Sequence, residues 1–121
     1  MRRMLLAGGA CALLAGVLLP AARAQDAAEN GPPGDPLAGR KVARMCAVCH
    51  GINGLAKQPD AANLAGQDPG YIVRQLAAFR SGARKNETMN TMAQTLNDQQ
   101  MRDVAAYFGG IRITVTSVPG P

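Results

Sequence analysis

The sequence predicts an all-α fold of three or more short helices, and three observations predict it. Helix-start signals stand at Asp35-Pro36, at Asp68-Pro69 and at Asn97, the last with Gln100 at its third helical position. Apolar residues recur at helical spacing behind each start, and no stretch requires a sheet. The apolar content of the 121-residue chain is mostly alanine, and Tyr71, Phe79, Tyr107 and Phe108 are its only aromatics. A core that thin needs help in a chain this short.

The chain opens on an export signal. Arg2 and Arg3 give a positive start, Met4 to Leu19 an apolar stretch, and Ala22-Arg23-Ala24 a small-x-small cleavage site, so residues 1–24 are expected to be a signal peptide cleaved after Ala24. The sixteen residues 4–19 fall short of the roughly twenty that span a bilayer, and no stable membrane anchor is expected after cleavage. Gly8-Gly9-Ala10 leaves almost no apolar run before Cys11, which argues against a lipid-modified cysteine. The net charge of +5 includes Arg2, Arg3 and Arg23; without them ten basic residues face eight acids, for a net of +2. With no basic tract and no aromatic-basic interleaving, no nucleic-acid partner is expected.

The remaining 97 residues, 25–121, suit one small domain. Residues 25–34, with Gly31-Pro32-Pro33-Gly34, read as a flexible leader to a domain at 35–110. Asp35 and Pro36 form the N-cap and first residue of a helix on which Ala38, Val42 and Met45 recur at i, i+4 and i+7. Repeated Gly, Asn and Pro make 51–67 an irregular loop. Asp68-Pro69 starts a second helix with Ile72, Leu76 and Phe79 on one face and a stop at Ser81-Gly82; a second loop is expected from there to Leu96. Asn97 and Gln100 form a capping-box pattern for the last helix, whose face is Met101, Val104, Ala105 and Phe108 before Gly109-Gly110 ends it. Residues 111–121 form a tail with weak extended character, expected to fray at Pro119-Gly120-Pro121.

The first helix ends in Cys46-Ala47-Val48-Cys49-His50, a C-x-x-C-H pentapeptide. Two thiols at that spacing can add to the vinyl groups of a haem, and the adjacent imidazole can take one axial site of its iron. A zinc site would need two further Cys or His ligands, and Cys11 is the only other cysteine and His50 the only histidine. A thioredoxin-like centre should follow a strand, whereas a helix precedes Cys46. A disulfide across two residues would be strained and leave His50 without a reason. The expected cofactor is therefore one haem c, anchored through thioethers at Cys46 and Cys49, with His50 as the proximal ligand. Export agrees, because haem attachment takes place in an oxidising space outside the cytoplasm. A buried haem also supplies the apolar body that the core lacks.

The sixth ligand separates a carrier from a catalyst. Iron held by His and Met is coordinatively full, and the thioether favours the ferrous state, so such iron passes electrons. Met89 and Met92 are the candidates, both in the expected loop before the last helix; Met45 adjoins the first thiol and Met101 lies on a helix face. No residue is placed as acid, base or nucleophile for turnover, so no enzymatic activity is expected. Arg84, Lys85 and Asn86 either face a haem propionate or form a solvated charge run. Arg40, Lys41, Arg44 and Lys57 could steer an acidic partner toward the motif, and Ile52, Leu55 and Met92 could form a docking patch.

The ordered set Cys46-Ala-Val-Cys-His50-Gly51, Leu64-Ala65-Gly66-Gln67, Tyr71 to Leu76, Phe79 to Asn86, Met89, and Leu96-Asn-Asp98 leading to Ala105-Ala106-Tyr107-Phe108 resembles the class I c-type cytochromes. More narrowly, it is similar to the small periplasmic bacterial ones, including single domains of dihaem members. The resemblance covers about three quarters of the mature domain, from Asp35 to Phe108. It implies the class I cytochrome c fold around one haem, periplasmic electron transfer, and redox partner proteins such as a dehydrogenase, oxidase or reductase. In this family the distal methionine stands seven residues before the Leu that precedes the last helix; counted back from Leu96, that is Met89, so the implied metal ligands are His50 and Met89. The resemblance also implies a close crossing of the first and last helices, with Gly39 meeting Tyr107. Ala62 departs from the pattern, standing where a proline is usual; its carbonyl is still expected to accept the Nδ1 proton of His50. Two alternatives stand beside the free carrier: a subunit permanently docked on a periplasmic dehydrogenase or oxidase through 25–34 and 111–121, and a haem enzyme or gas sensor with a labile distal ligand.

Overall fold

The computed structural model describes residues 30–120; the expected signal peptide, the first leader residues 25–29 and Pro121 lie outside the described residues. Four helices and no strand are present among the described residues: α1 (Pro36–His50), α2 (Pro69–Ser81), α3 (Glu87–Gln94) and α4 (Asp98–Gly109). Asp35 caps α1 by accepting the Leu37 N–H at 2.8 Å, and Asp68 caps α2 by accepting the Tyr71 N–H at 2.7 Å. Each is followed by a proline whose fixed φ suits a first helical turn. α2 stops at Gly82, whose φ of 75° is left-handed. Asn97 and Gln100 complete the expected capping box on α4, each side chain accepting from the other's backbone N–H at 2.9 and 3.0 Å.

α3 corrects the sequence reading, which expects a loop through to Leu96. Asn86 caps it by accepting the Met89 N–H at 2.9 Å. Met89, Ala93 and Leu96 then fall at i, i+4 and i+7, with Ala93 and Leu96 buried. Thr88, Asn90 and Thr91 are weak helix formers, and eight residues are too few for an apolar stripe to stand out in the sequence.

α1 and α4 cross closely through Gly39, as the resemblance implies. A Cβ on Gly39 would overlap the Asp103 carbonyl oxygen and stand 2.9 Å from Tyr107 Cβ, so only a glycine permits this approach. Two bonds reinforce the crossing: buried Asp103 accepts the Asp35 N–H at 2.8 Å, and the Tyr107 hydroxyl donates to the Ile52 carbonyl at 2.8 Å. α2 packs on both α3 and α4. The core is built from Ile72, Val73, Leu76 and Phe79 of α2 against Met101, Val104, Ala105 and Phe108 of α4. The loop between α1 and α2 is irregular, as expected, and is held to α4 by the Gly66 N–H donating to the Phe108 carbonyl at 3.0 Å. After Gly110 the chain runs out without regular structure, with Ile113, Val115 and Val118 exposed. No helix among the described residues is long and apolar enough to cross a membrane.

Candidate functional site

The four helices enclose a cavity of about 600 Å³. Cys46, Cys49 and His50 line it from the last turn of α1, and Met89 and Met92 line it from α3. Leu76, Phe79, Leu96, Val104 and Phe108 supply apolar wall. Gly39, Ala43, Cys46 and His50 fall at i, i+4, i+7 and i+11 on one face of α1, so the stripe that packs against α4 at its start carries the motif into the cavity at its end.

Cys46 is partly buried, and that burial pushes its thiol up to about 11, a weak bond from its backbone pulling the other way. The surroundings therefore favour a neutral sulfur. A thioether suits such a place, since it has no proton to lose. His50 Nδ1 lies 2.8 Å from the Ala62 carbonyl oxygen. A carbonyl can only accept, so Nδ1 carries the hydrogen and Nε2 keeps its lone pair for a metal. The bond expected at the unusual Ala62 is thus present: the carbonyl performs the role, and the proline ring is not needed for it.

Haem fits this cavity on its walls and its donor set. The apolar sides suit a flat macrocycle, the two thiols stand on one helical turn with the imidazole beside them, and thioethers face the same space. Among the described residues no group of three or more His, Cys, Asp or Glu could hold a metal ion by itself.

The remaining expected residues divide. Arg84, Lys85 and Asn86 do line the cavity. The Arg84 guanidinium sits 4.5 Å from the centre of the Phe79 ring and donates to Gln75 Oε1 at 2.5 Å. Arg40, Lys41, Arg44 and Lys57 are exposed and outside the cavity wall, as are Ile52 and Leu55, whereas Met92 belongs to the wall. Asn90 carries no signal of its own in the sequence, yet its carboxamide bonds to Phe79, Arg84 and Asn86 and fixes the turn that leads to Met89.

An all-α fold that delivers a C-x-x-C-H helix end into an apolar cavity is the architecture of a class I c-type haem protein. The chain belongs to the cytochrome c family, whose pattern it matches over residues 37–110, and it carries one covalently bound haem c attached at Cys46 and Cys49. It is 47% identical over 76 residues to cytochrome c4 of Thiocapsa roseopersicina, a match that takes in 62% of this chain and 39% of that protein. To a thiosulfate dehydrogenase electron acceptor of Stutzerimonas stutzeri it is 40% identical over 81 residues, 66% of this chain and 34% of that one. Its fold superposes on reduced recombinant cytochrome c4 from Pseudomonas stutzeri with a TM-score of 0.62 at 34% identity, covering 68% of this chain and 48% of that one. The chain thus spans about a third to a half of the length of these relatives.

Proposed function

We propose that this protein is a periplasmic electron carrier that moves one electron at a time through a haem c ligated by His50 and Met89, and that it is not an enzyme. The observation that carries the reading is that the cavity lined by Cys46, Cys49 and His50 is also lined by Met89, with His50 held in its metal-binding tautomer by Ala62. When bound, the haem supplies the one-electron iron couple. The chain does the rest: His50 and Met89 would both hold the iron and leave no place on it for a substrate, while the apolar wall would keep water away. Residues 1–24 supply the export that haem attachment requires.

The partners are redox proteins that touch the protein briefly and leave. A dehydrogenase as donor is supported by the likeness to a protein named as an electron acceptor of thiosulfate dehydrogenase. The exposed Ile113, Val115 and Val118 of the tail favour a second reading, a cytochrome subunit that stays docked on such an enzyme. Co-purification at fixed stoichiometry separates the two.

The axial assignment is tested by the near-infrared thioether-to-iron band of the oxidised protein. Met89→Ala is expected to abolish the band and Met92→Ala to leave it; the reverse result overturns the assignment.

A further inference from the structure

The turn that leads into Met89 is tied down by one side chain. Residues 82–86 join α2 to α3, and the Asn90 carboxamide reaches back over them with three hydrogen bonds. Its Nδ2 donates to the Phe79 carbonyl at 2.6 Å and to the Arg84 carbonyl at 2.8 Å, and its Oδ1 accepts the Asn86 N–H at 2.9 Å. Two carbonyls can only accept and an N–H can only donate, so a flipped amide would lose all three bonds and the orientation is fixed by chemistry. Asn86 in turn accepts the Met89 N–H at 2.9 Å. An unbroken series of bonds therefore runs from buried Phe79, at the end of α2, through Asn90 and Asn86 to the backbone of Met89. Arg84 strengthens the anchored end, because its guanidinium lies over the Phe79 ring whose carbonyl Asn90 holds.

Resting on the reading of Met89 as the distal ligand, we propose that Asn90 is a positioning residue which keeps Met89 on the haem iron and thereby excludes competing ligands. Asn90 is not part of the cavity wall, so its influence on the iron passes through the placement of α3. A neutral thioether is a weak donor, and its occupancy of the iron depends on how much of the time the backbone holds it in reach. With the clamp intact, the first turn of α3 has one position relative to α2. Without it, that turn shifts among several, and in some of them Met89 stands off the metal. An external ligand then competes against a methionine that is less often in place, and binds more tightly in proportion.

The test uses the full holoprotein, oxidised and titrated with imidazole while the near-infrared band is followed. Asn90→Leu keeps the approximate shape and removes all three bonds; Asn90→Asp keeps the accepting oxygen and removes both donated bonds, and it carries the test if the leucine variant does not fold. Both are expected to bind imidazole on the order of tenfold more tightly than the parent, the change expected from about one net hydrogen bond. Thr91→Ala is the control, because it removes a hydroxyl bond to the Glu87 carbonyl within α3 and leaves the clamp intact; it is expected to match the parent. The proposal is overturned if the Asn90 variants bind imidazole like the parent while Met89→Ala loses the band, or if Thr91→Ala shifts the affinity as far as Asn90→Leu does. Persistence of the band in Met89→Ala overturns instead the ligand reading on which the proposal rests.

Discussion

Adding one methyl group at Gly39 is expected to destabilise the protein, against the helix propensity of the residue added. Gly39 lies in the interior of α1 and is buried against α4. A Cβ there would overlap the Asp103 carbonyl oxygen and approach Tyr107 Cβ to 2.9 Å. The obstacle at Asp103 is backbone, which cannot turn aside as a side chain would, so the helices must separate by roughly an ångström to restore ordinary contact. Overpacking of this kind costs about 1–3 kcal/mol, and a backbone obstruction belongs at the upper end. Alanine in place of glycine returns about 1 kcal/mol of helix propensity, for a net loss of about 2 kcal/mol. In a domain of this size 1 kcal/mol moves the melting temperature by about 4–8 °C, so Gly39→Ala should melt about 10 °C lower. Thermal unfolding of the holoprotein, followed by far-UV circular dichroism and by Soret absorbance, measures the shift. The sign is decisive: if the helices did not touch at this point, propensity alone would raise the melting temperature. A variant that melts at or above the parent refutes the close crossing.

Two further changes probe the same frame. Asn97→Ala removes the acceptor of the capping box on α4 and should cost about 1 kcal/mol, seen as a lower urea midpoint with an unchanged slope. Tyr107→Phe keeps the ring edge-on to Phe108, at 5.2 Å between centroids, and removes only the hydroxyl bond to Ile52. It should cost about 1 kcal/mol in the same urea assay, with the visible spectrum of the haem unchanged.

The parts of the fold that are legible in the sequence are those whose signals are local. Asp35-Pro36 and Asp68-Pro69 mark helix starts because an aspartate cap and a proline at the first position act within one turn, and the Asn97–Gln100 pair does the same. The C-x-x-C-H pentapeptide is legible for a similar reason, since covalent attachment needs its residues on adjacent positions. α3 is not legible, because its stability comes from burying Ala93, with Leu96 buried just past its end, and from the Asn86 cap, while its own residues favour helix weakly. Asn90 escapes notice altogether: its three partners are backbone groups, which any residue type supplies, so nothing in the sequence at Phe79, Arg84 or Asn86 points to it. The Ala62 carbonyl is of the same kind. There the resemblance to a family located the acceptor even though the usual residue was replaced, because the backbone atom was what mattered.

The thin core and the attachment motif, read separately in the sequence, are one property in the structure. Leu76, Phe79, Leu96, Val104 and Phe108 belong both to the buried core and to the wall of the haem cavity, so the surface that holds the helices together is the surface that receives the cofactor. An apolar body seated against that wall would therefore complete the core, and thioethers at Cys46 and Cys49 would keep it in place. Covalent attachment in this chain is thus part of folding: the bonds at Cys46 and Cys49 that fasten the haem also make the centre of the core permanent.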